Sequence, residues 1–366
     1  MTPPRKFFSI CLFIPLLAAT FAQAHEFERA LPGRSFSFPR DHHSHPEFRT
    51  EWWYYTGHVR SRDGKSFGYQ LTFFRTGLRR ERSSQSKWAL KSLYFAHFAL
   101  TAENERAFTF REKISRGALG QAGAATDRLH VWVEDWILKG DGPDHLLEAR
   151  DASMAIRLRL TPLKSPVVNG INGVSQKAEG VGNASHYYSI TRMKTSGELT
   201  IDGKVLTVEG ISWMDHEFGT NQLQSYQVGW DWFSIQMDNS TELMLYLIRH
   251  RDGNPDPYSS GTFIYPDGTS RHIRLDEFDI RVLKTWESRK TGARYPARWN
   301  IRIPEMDIDL TVTPTVADQE LTTQESTRVT YWEGSVRVDG RYRGKPVSGV
   351  GYVELTGYSE PLAGKI

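Results

Sequence analysis

Short apolar-alternating segments, punctuated by six Asp-Gly dipeptides at 63-64, 141-142, 202-203, 252-253, 267-268 and 339-340, constrain this chain more than any other feature. Alternation with period two is the mark of a half-buried strand, and Asp-Gly supplies the positive φ that tight hairpin turns require. Segments such as Glu198-Leu-Thr-Ile, Lys204-Val-Leu-Thr-Val, Ile301-Arg-Ile and Val336-Arg-Val follow the pattern, and long stripes of helical period are scarce. The expectation is an all-β chain, built as sandwiches or closed barrels. Closure would remove the exposed edges that strands otherwise offer to aggregation.

The plan repeats. Trp52-Trp53-Tyr54-Tyr55 opens a strand, turns at Arg62-Asp63-Gly64-Lys65 and returns through Phe67 to Phe74, ending in Arg75. Trp230-Asp231-Trp232-Phe233 opens another, turns at Asp238-Asn239-Ser240 and returns through Leu243 to Ile248, ending in Arg249. Trp53 and Trp232 lie 179 positions apart in a chain of 366. Two similar barrels in tandem are therefore expected, at 25–215 and 216–366.

Residues 1–24 read as a signal peptide: basic Arg5 and Lys6, an apolar stretch from Phe7 to about Ala19, and the small-x-small ending Ala22-Gln23-Ala24. A periplasmic or secreted protein beginning near His25 follows. The only cysteine, Cys11, leaves with the signal, which excludes disulfides, thiolate metal sites and Cys nucleophiles. The other 342 residues hold 44 basic against 43 acidic side chains, a balance of +1 that gives no field for nucleic acid.

The densest chemistry lies in Gly210-Ile-Ser-Trp-Met-Asp-His-Glu-Phe-Gly219. On a strand, Trp213, Asp215 and Glu217 point one way and His216 and Phe218 the other, so Asp215 and His216 cannot pair with each other. The candidate partner is Asp231, flanked by Trp230 and Trp232. A carboxyl group desolvated between indoles would keep its proton and serve as an acid; the other reading is a structural Asp at a strand end. His42, His43 and His45 suggest a solvated loop rather than a metal site. His97, in the apolar run Tyr94-Phe-Ala-His-Phe-Ala-Leu100, is either a hydrogen-bonded core histidine or a site residue. The Gly-, Asn- and Ser-rich segment 168–185 reads as a mobile loop at a barrel mouth. No Gly-x-Ser-x-Gly elbow or zincin histidine pair occurs. The 45 aromatic side chains fit barrel cores, or the walls of a cavity for an apolar ligand lined by Trp53, Tyr55, His58, His97, Trp213, Phe218, Trp230 and Trp232.

His45-Pro-Glu-Phe-Arg-Thr-Glu-Trp-Trp-Tyr-Tyr-Thr-Gly57, Ala96-His-Phe-Ala-Leu100, Ser185-His-Tyr-Tyr-Ser-Ile-Thr-Arg192 and Trp213-Met-Asp-His-Glu-Phe-Gly219 together resemble the AttH-like exported proteins. These are related to carotenoid 1,2-hydratase and are often labelled secreted hydrolases. The resemblance implies two tandem lipocalin-like (calycin) β-barrels and a hydrophobic lipid or isoprenoid ligand. It also implies catalytic roles for His216, by its motif, and Asp231, the counterpart of the hydratase acid, with Asp215 beside them. Phe218 stands where the hydratases have Trp, which weakens an aromatic wall for a carbocation.

Two functions follow as expectations. The leading one is an exported protein that binds a lipid or isoprenoid and serves an envelope ABC transporter, with no cofactor and no metal. The alternative is a hydratase or hydrolase acting on an isoprenoid alkene or lipid ester. A third, carbohydrate binding, would need tryptophans exposed along a groove.

Overall fold

The computed structural model describes residues 27–78, 90–221 and 223–362. The signal-peptide expectation for 1–24 lies outside them. The described residues form strands, with only four short 3-10 turns and no α-helix, in two antiparallel sheets.

The first sheet holds β1 (Thr50–Ser61), β2 (Ser66–Gly77), β3 (Ser92–Ala102), β4 (Ala107–Ser115), β5 (Ala122–Ala124), β6 (His130–Val133) and β7 (Trp136–Asp141). It continues with β8 (Asp144–Arg150), β9 (Met154–Pro162), β10 (Val167–Val168), β11 (Ser175–Gln176), β12 (Ala184–Ile201) and β13 (Lys204–Gly219). Its order is β4-β3-β2-β1-β13-β12-β9-β8-β7-β6-β5, so the motif strands β1, β12 and β13 lie side by side at its centre.

The second sheet holds β14 (Gln227–Met237), β15 (Glu242–His250), β16 (Ser260–Ile264), β17 (Ser270–Arg274) and β18 (Asp279–Glu287). It ends with β19 (Arg294–Ile303), β20 (Ile308–Pro314), β21 (Glu320–Thr323), β22 (Val329–Tyr342) and β23 (Lys345–Leu355). Its order is β17-β16-β15-β14-β23-β22-β20-β19-β18. Each sheet curls around its own core to give two lipocalin-like barrels. One core gathers Trp53, Tyr55, Tyr69, Phe73, Phe98 and Trp136, the other Phe233, Tyr295, Trp299 and Trp332.

The barrels are therefore filled by side chains, and the contact between them takes a third group of aromatics. Alternation decides which residues go where: on β1, Trp53 and Tyr55 enter the core while Trp52 and Tyr54 turn toward the second barrel. The chain leaves the first barrel after β13, at Gly219, and enters the second at β14, at Gln227. A division at 215/216 would have cut β13 inside a continuous ladder with β1 and β12.

Gly68 marks how closely the barrels meet. A Cβ there would lie 2.6 Å from both Ser335 Cβ and the Tyr352 hydroxyl, on the facing barrel. Gly68→Val should wedge the barrels apart at a cost of about 1–3 kcal/mol. Thermal unfolding checks this: a lowered midpoint is expected, and a wild-type profile would refute the close contact.

Segment 168–185 differs from its expectation as a mobile loop. β10 and β11 pair with β12. Asn169 Nδ2–H donates to Ser189 Oγ (2.8 Å), and Thr262 Oγ1–H of the second barrel donates to Asn169 Oδ1 (2.8 Å). Its polar side chains lace the barrels together.

Candidate active site

The faces of β1, β12 and β13 that turn away from the first core meet β14, β15, β22 and β23 of the second barrel. Tyr54 stands edge-on to Trp232 (5.1 Å between ring centroids), and Trp213 does the same (6.4 Å). Trp232 Nε1–H donates to the Tyr187 hydroxyl (3.1 Å), and His58 Nε2–H donates to the Gly351 carbonyl (2.8 Å). These bonds tie one barrel's wall to the other's. The indoles are enclosed between barrels rather than spread along an open groove.

Three carboxyl groups in this layer hold their protons unusually well. Asp215 accepts from Tyr187 Oη–H (2.7 Å), Ser189 Oγ–H (2.5 Å) and Trp213 Nε1–H (2.7 Å). Burial nevertheless pushes it up to about 7, against the pull of those donors. Glu354 accepts from Trp230 Nε1–H (2.8 Å) and is also pushed by burial to about 7. Glu333 sits directly opposite Glu354 on the neighbouring strand. Burial, and then the charge of Glu354, hold it well above the ordinary carboxylate range. Two carboxyl groups on directly opposed residues, with Glu333 fully buried, cannot both ionise cheaply, so one proton stays with the pair.

The Tyr54 hydroxyl and the Glu333 carboxyl lie against each other in this layer, and Gln70 Oε1 is buried with no hydrogen-bond partner in the protein. Buried polar groups are nearly always paired, so Gln70 Oε1 marks a place where a polar ligand atom or water belongs. Glu217 is compensated, since Ser185 donates to it and Lys177 Nζ lies 3.1 Å away. The Lys177 ammonium also caps the Tyr246 ring at 4.2 Å.

His97 spans the two barrels. Its Nδ1 is 2.8 Å from the Tyr331 hydroxyl and its Nε2 2.9 Å from Ser326 Oγ. Burial lowers it to about 3, so it is neutral.

Other sequence candidates go elsewhere. Asp231 points into the second barrel, where Arg249 Nε–H (2.9 Å) and Tyr358 Oη–H (2.9 Å) donate to it. Trp230 and Trp232, its neighbours in sequence, face the opposite way. Burial still raises Asp231, with Arg249 opposing. His216 points into the first barrel, stacked on Trp53 at 4.8 Å and 3.0 Å from Glu51 Oε1. Desolvation lowers it. An acid–base pair of Asp231 and His216 is therefore not formed, because each faces its own barrel. Trp53 and Tyr55 are core residues, with Tyr55 bonded to His145 (2.8 Å), and Phe218 stacks on His45 at 3.7 Å. Of the expected ligand-binding set, Trp213, Trp230, Trp232, His58 and His97 lie between the barrels, while Trp53, Tyr55 and Phe218 do not.

The expected solvated histidine loop is largely buried. His45 is enclosed between Asp41 and Glu51, and hydrogen bonds to both raise its affinity for a proton. His45, Glu51 and His216 bring ligand-type atoms within 4.8 Å of one another, a donor set that zinc accepts. Here Glu51 is already bonded by Arg75 Nε–H (3.0 Å), Ser44 Oγ–H (2.8 Å) and the His45 backbone (2.9 Å). That arrangement describes a buried ion-pair network, with protons between the three groups.

Sequence reading missed Glu333, Glu354, Tyr54 and Tyr187. A signal exists in Thr330-Tyr-Trp-Glu-Gly-Ser-Val336 and Gly351-Tyr-Val-Glu-Leu355, where single acids interrupt otherwise apolar strands. Their convergence depends on hairpin register, which places Glu333 opposite Glu354.

The comparisons agree with this geometry at the level of fold and family. A protein of Nitrosomonas europaea described as an AttH superposes with a TM-score of 0.82 at 31% identity, over 91% of this chain and 100% of that one. Kievitone hydratase from Nectria haematococca gives 0.71 at 16% identity (92% and 99%), and CghA in complex with Sch210972 gives 0.52 at 12% (90% and 95%). Those two likenesses establish shared fold alone. No curated protein matches the chain. The AttH-like family model matches residues 29–358, and the chain belongs to that family.

Proposed function

We propose that this protein is a hydratase-type enzyme, adding water across a carbon–carbon double bond of a hydrophobic substrate held between its two barrels. The observation that carries this reading is the Glu333–Glu354 pair: carboxyl groups that keep a proton near neutral pH, set beside indoles and against the Tyr54 hydroxyl. Alkene hydration needs such an acid. The pair gives its proton to one alkene carbon and is left as carboxylate. The cation that forms on the other carbon is stabilised by the faces of nearby indoles. Water then bonds to that carbon and releases a proton, and the reverse sequence removes water from an alcohol.

Kievitone hydratase, which shares the fold, is by name a hydratase, and this supports the reading. Carriage of a lipid alone would leave the buried acid pair without a task. A serine-hydrolase mechanism is less well supported by Ser326 and His97. The carboxylate there receives the Ser326 proton directly, whereas in a triad the acid orients the far side of the histidine. The signal-like N-terminus supports a reaction outside the cytoplasm, on a lipid or isoprenoid.

The test is turnover of acyclic isoprenoid and phenylpropenoid alkenes in ¹⁸O-labelled water. A product one labelled water heavier is expected. Tight ligand binding with no labelled product across the panel, and no dehydration of the matching tertiary alcohols, would leave only a carrier.

A further inference from the structure

We infer that Tyr331, His97, Ser326 and Glu112 form a proton relay that takes the proton released by the attacking water from the inter-barrel layer to the protein surface. This rests on the hydratase reading and says where the second proton of the reaction goes.

The chain of groups is continuous. Tyr331 lies on β22 two residues before Glu333, on the same face and in one cluster with Trp230. Its hydroxyl is 2.8 Å from His97 Nδ1, and His97 Nε2 is 2.9 Å from Ser326 Oγ, in the connection between β21 and β22. Ser326 Oγ–H donates to Glu112 Oε2 on β4, and so does the Ser326 backbone N–H (2.8 Å). The Glu325 N–H binds the other oxygen at 3.2 Å. Ser326 and Glu112 are half-buried, so the outer end reaches solvent.

The donors fix a direction. Glu112 accepts from the Glu325 and Ser326 backbone N–H groups and from Ser326 Oγ–H, so Ser326 must itself accept from His97 Nε2–H. A neutral imidazole with its hydrogen on Nε2 has a bare Nδ1, which accepts from Tyr331 Oη–H. Every proton then points outward, and Tyr331 Oη keeps a lone pair for a donor in the layer.

In the reaction, the water oxygen bonds to carbon and one water proton passes to Tyr331 Oη. The Tyr331 proton moves to His97 Nδ1, the His97 Nε2 proton to Ser326 Oγ, and the Ser326 proton to Glu112. Tyr331, His97 and Ser326 end neutral, Glu112 ends protonated, and the Glu333–Glu354 pair ends one proton short. Loss of a proton from Glu112 to solvent, gain of one by the pair, and return of His97 from the Nδ1–H to the Nε2–H tautomer, with the Ser326 and Tyr331 hydroxyls turning back, restore the enzyme.

Two measurements test this. Histidine-selective ¹⁵N NMR at neutral pH should show His97 as the neutral Nε2–H tautomer. The Nδ1–H tautomer or an imidazolium would overturn the relay whatever the turnover. Glu112→Gln and Ser326→Ala should each lower kcat by about 10- to 100-fold with KM little changed. His97→Ala should lose as much and be partly rescued by added imidazole, whereas His97→Gln, which preserves much of the packing, should not be rescued. Wild-type hydration with Glu112→Gln and Ser326→Ala retaining kcat within about two-fold would refute the relay and leave the hydratase standing. A wild type that hydrates nothing would remove both.

Discussion

Glu333→Gln is expected to lower the rate of hydration by about 10²–10⁴-fold while leaving KM nearly unchanged, because the amide keeps the shape and the hydrogen-bonding reach of the side chain but has no proton to give. Glu354→Gln should behave similarly, since the proton belongs to the pair rather than to either group. The pH dependence has a definite sign. The acid form is the active one, and burial sets Glu354 at about 7, so the wild-type rate should fall as pH rises through that region. Stability should move with it. The unfolded carboxyl titrates near 4.5, so between there and about 7 the native state holds a proton that the unfolded chain has released. Folding stability therefore declines as pH rises across that window and levels off above it. The double variant Glu333→Gln/Glu354→Gln should flatten the decline, as read from urea midpoints at mildly acidic and mildly alkaline pH. A wild-type rate that is flat across this range, or a Glu333→Gln enzyme of ordinary activity, would dismiss the pair as the acid.

Arg75→Met should cost about 3–5 kcal/mol of folding stability, the largest loss expected from any single change considered for this chain. Arg75 is buried beside Glu51, 3.0 Å from Nε to Oε2, and its Nη2 donates to the backbone carbonyls of His45 (2.9 Å) and Phe48 (2.8 Å). Its removal strands a buried carboxylate and two carbonyls together. Arg75→Met/Glu51→Met, which empties the site of both charges, should recover part of the loss. Urea denaturation of the two variants decides the matter. A loss below about 1 kcal/mol for Arg75→Met would mean that the network is solvated rather than dry.

Much of the fold was legible because strand periodicity and turn chemistry are local. The all-β class and the tandem barrels followed from hairpins around Asp63-Gly64 and Asp238-Asn239-Ser240, both of which form. The duplication offset is one residue out by facing, since Trp53 enters its core while Trp232 turns out of its own. The site was less legible. Alternation separates Asp215 from His216, and equally separates Asp231 from Trp230 and Trp232. Sequence adjacency to indoles therefore gives Asp231 no indole walls; Arg249 and Tyr358 surround it instead. Which strand face meets the other barrel, and which acids then stand opposite each other, depends on packing between segments more than a hundred residues apart. Tyr54 and Glu333 come together only through that packing.

The narrow meeting at Gly68 gives the chain the character of a two-key lock. Tyr54, Tyr187 and Asp215 are cut on one key, and Glu333, Glu354 and the Trp230 and Trp232 indoles on the other. A barrel that folds alone carries only one face of this layer, so the Tyr54–Glu333 and Trp232–Tyr187 contacts come into being together at the moment the two halves dock.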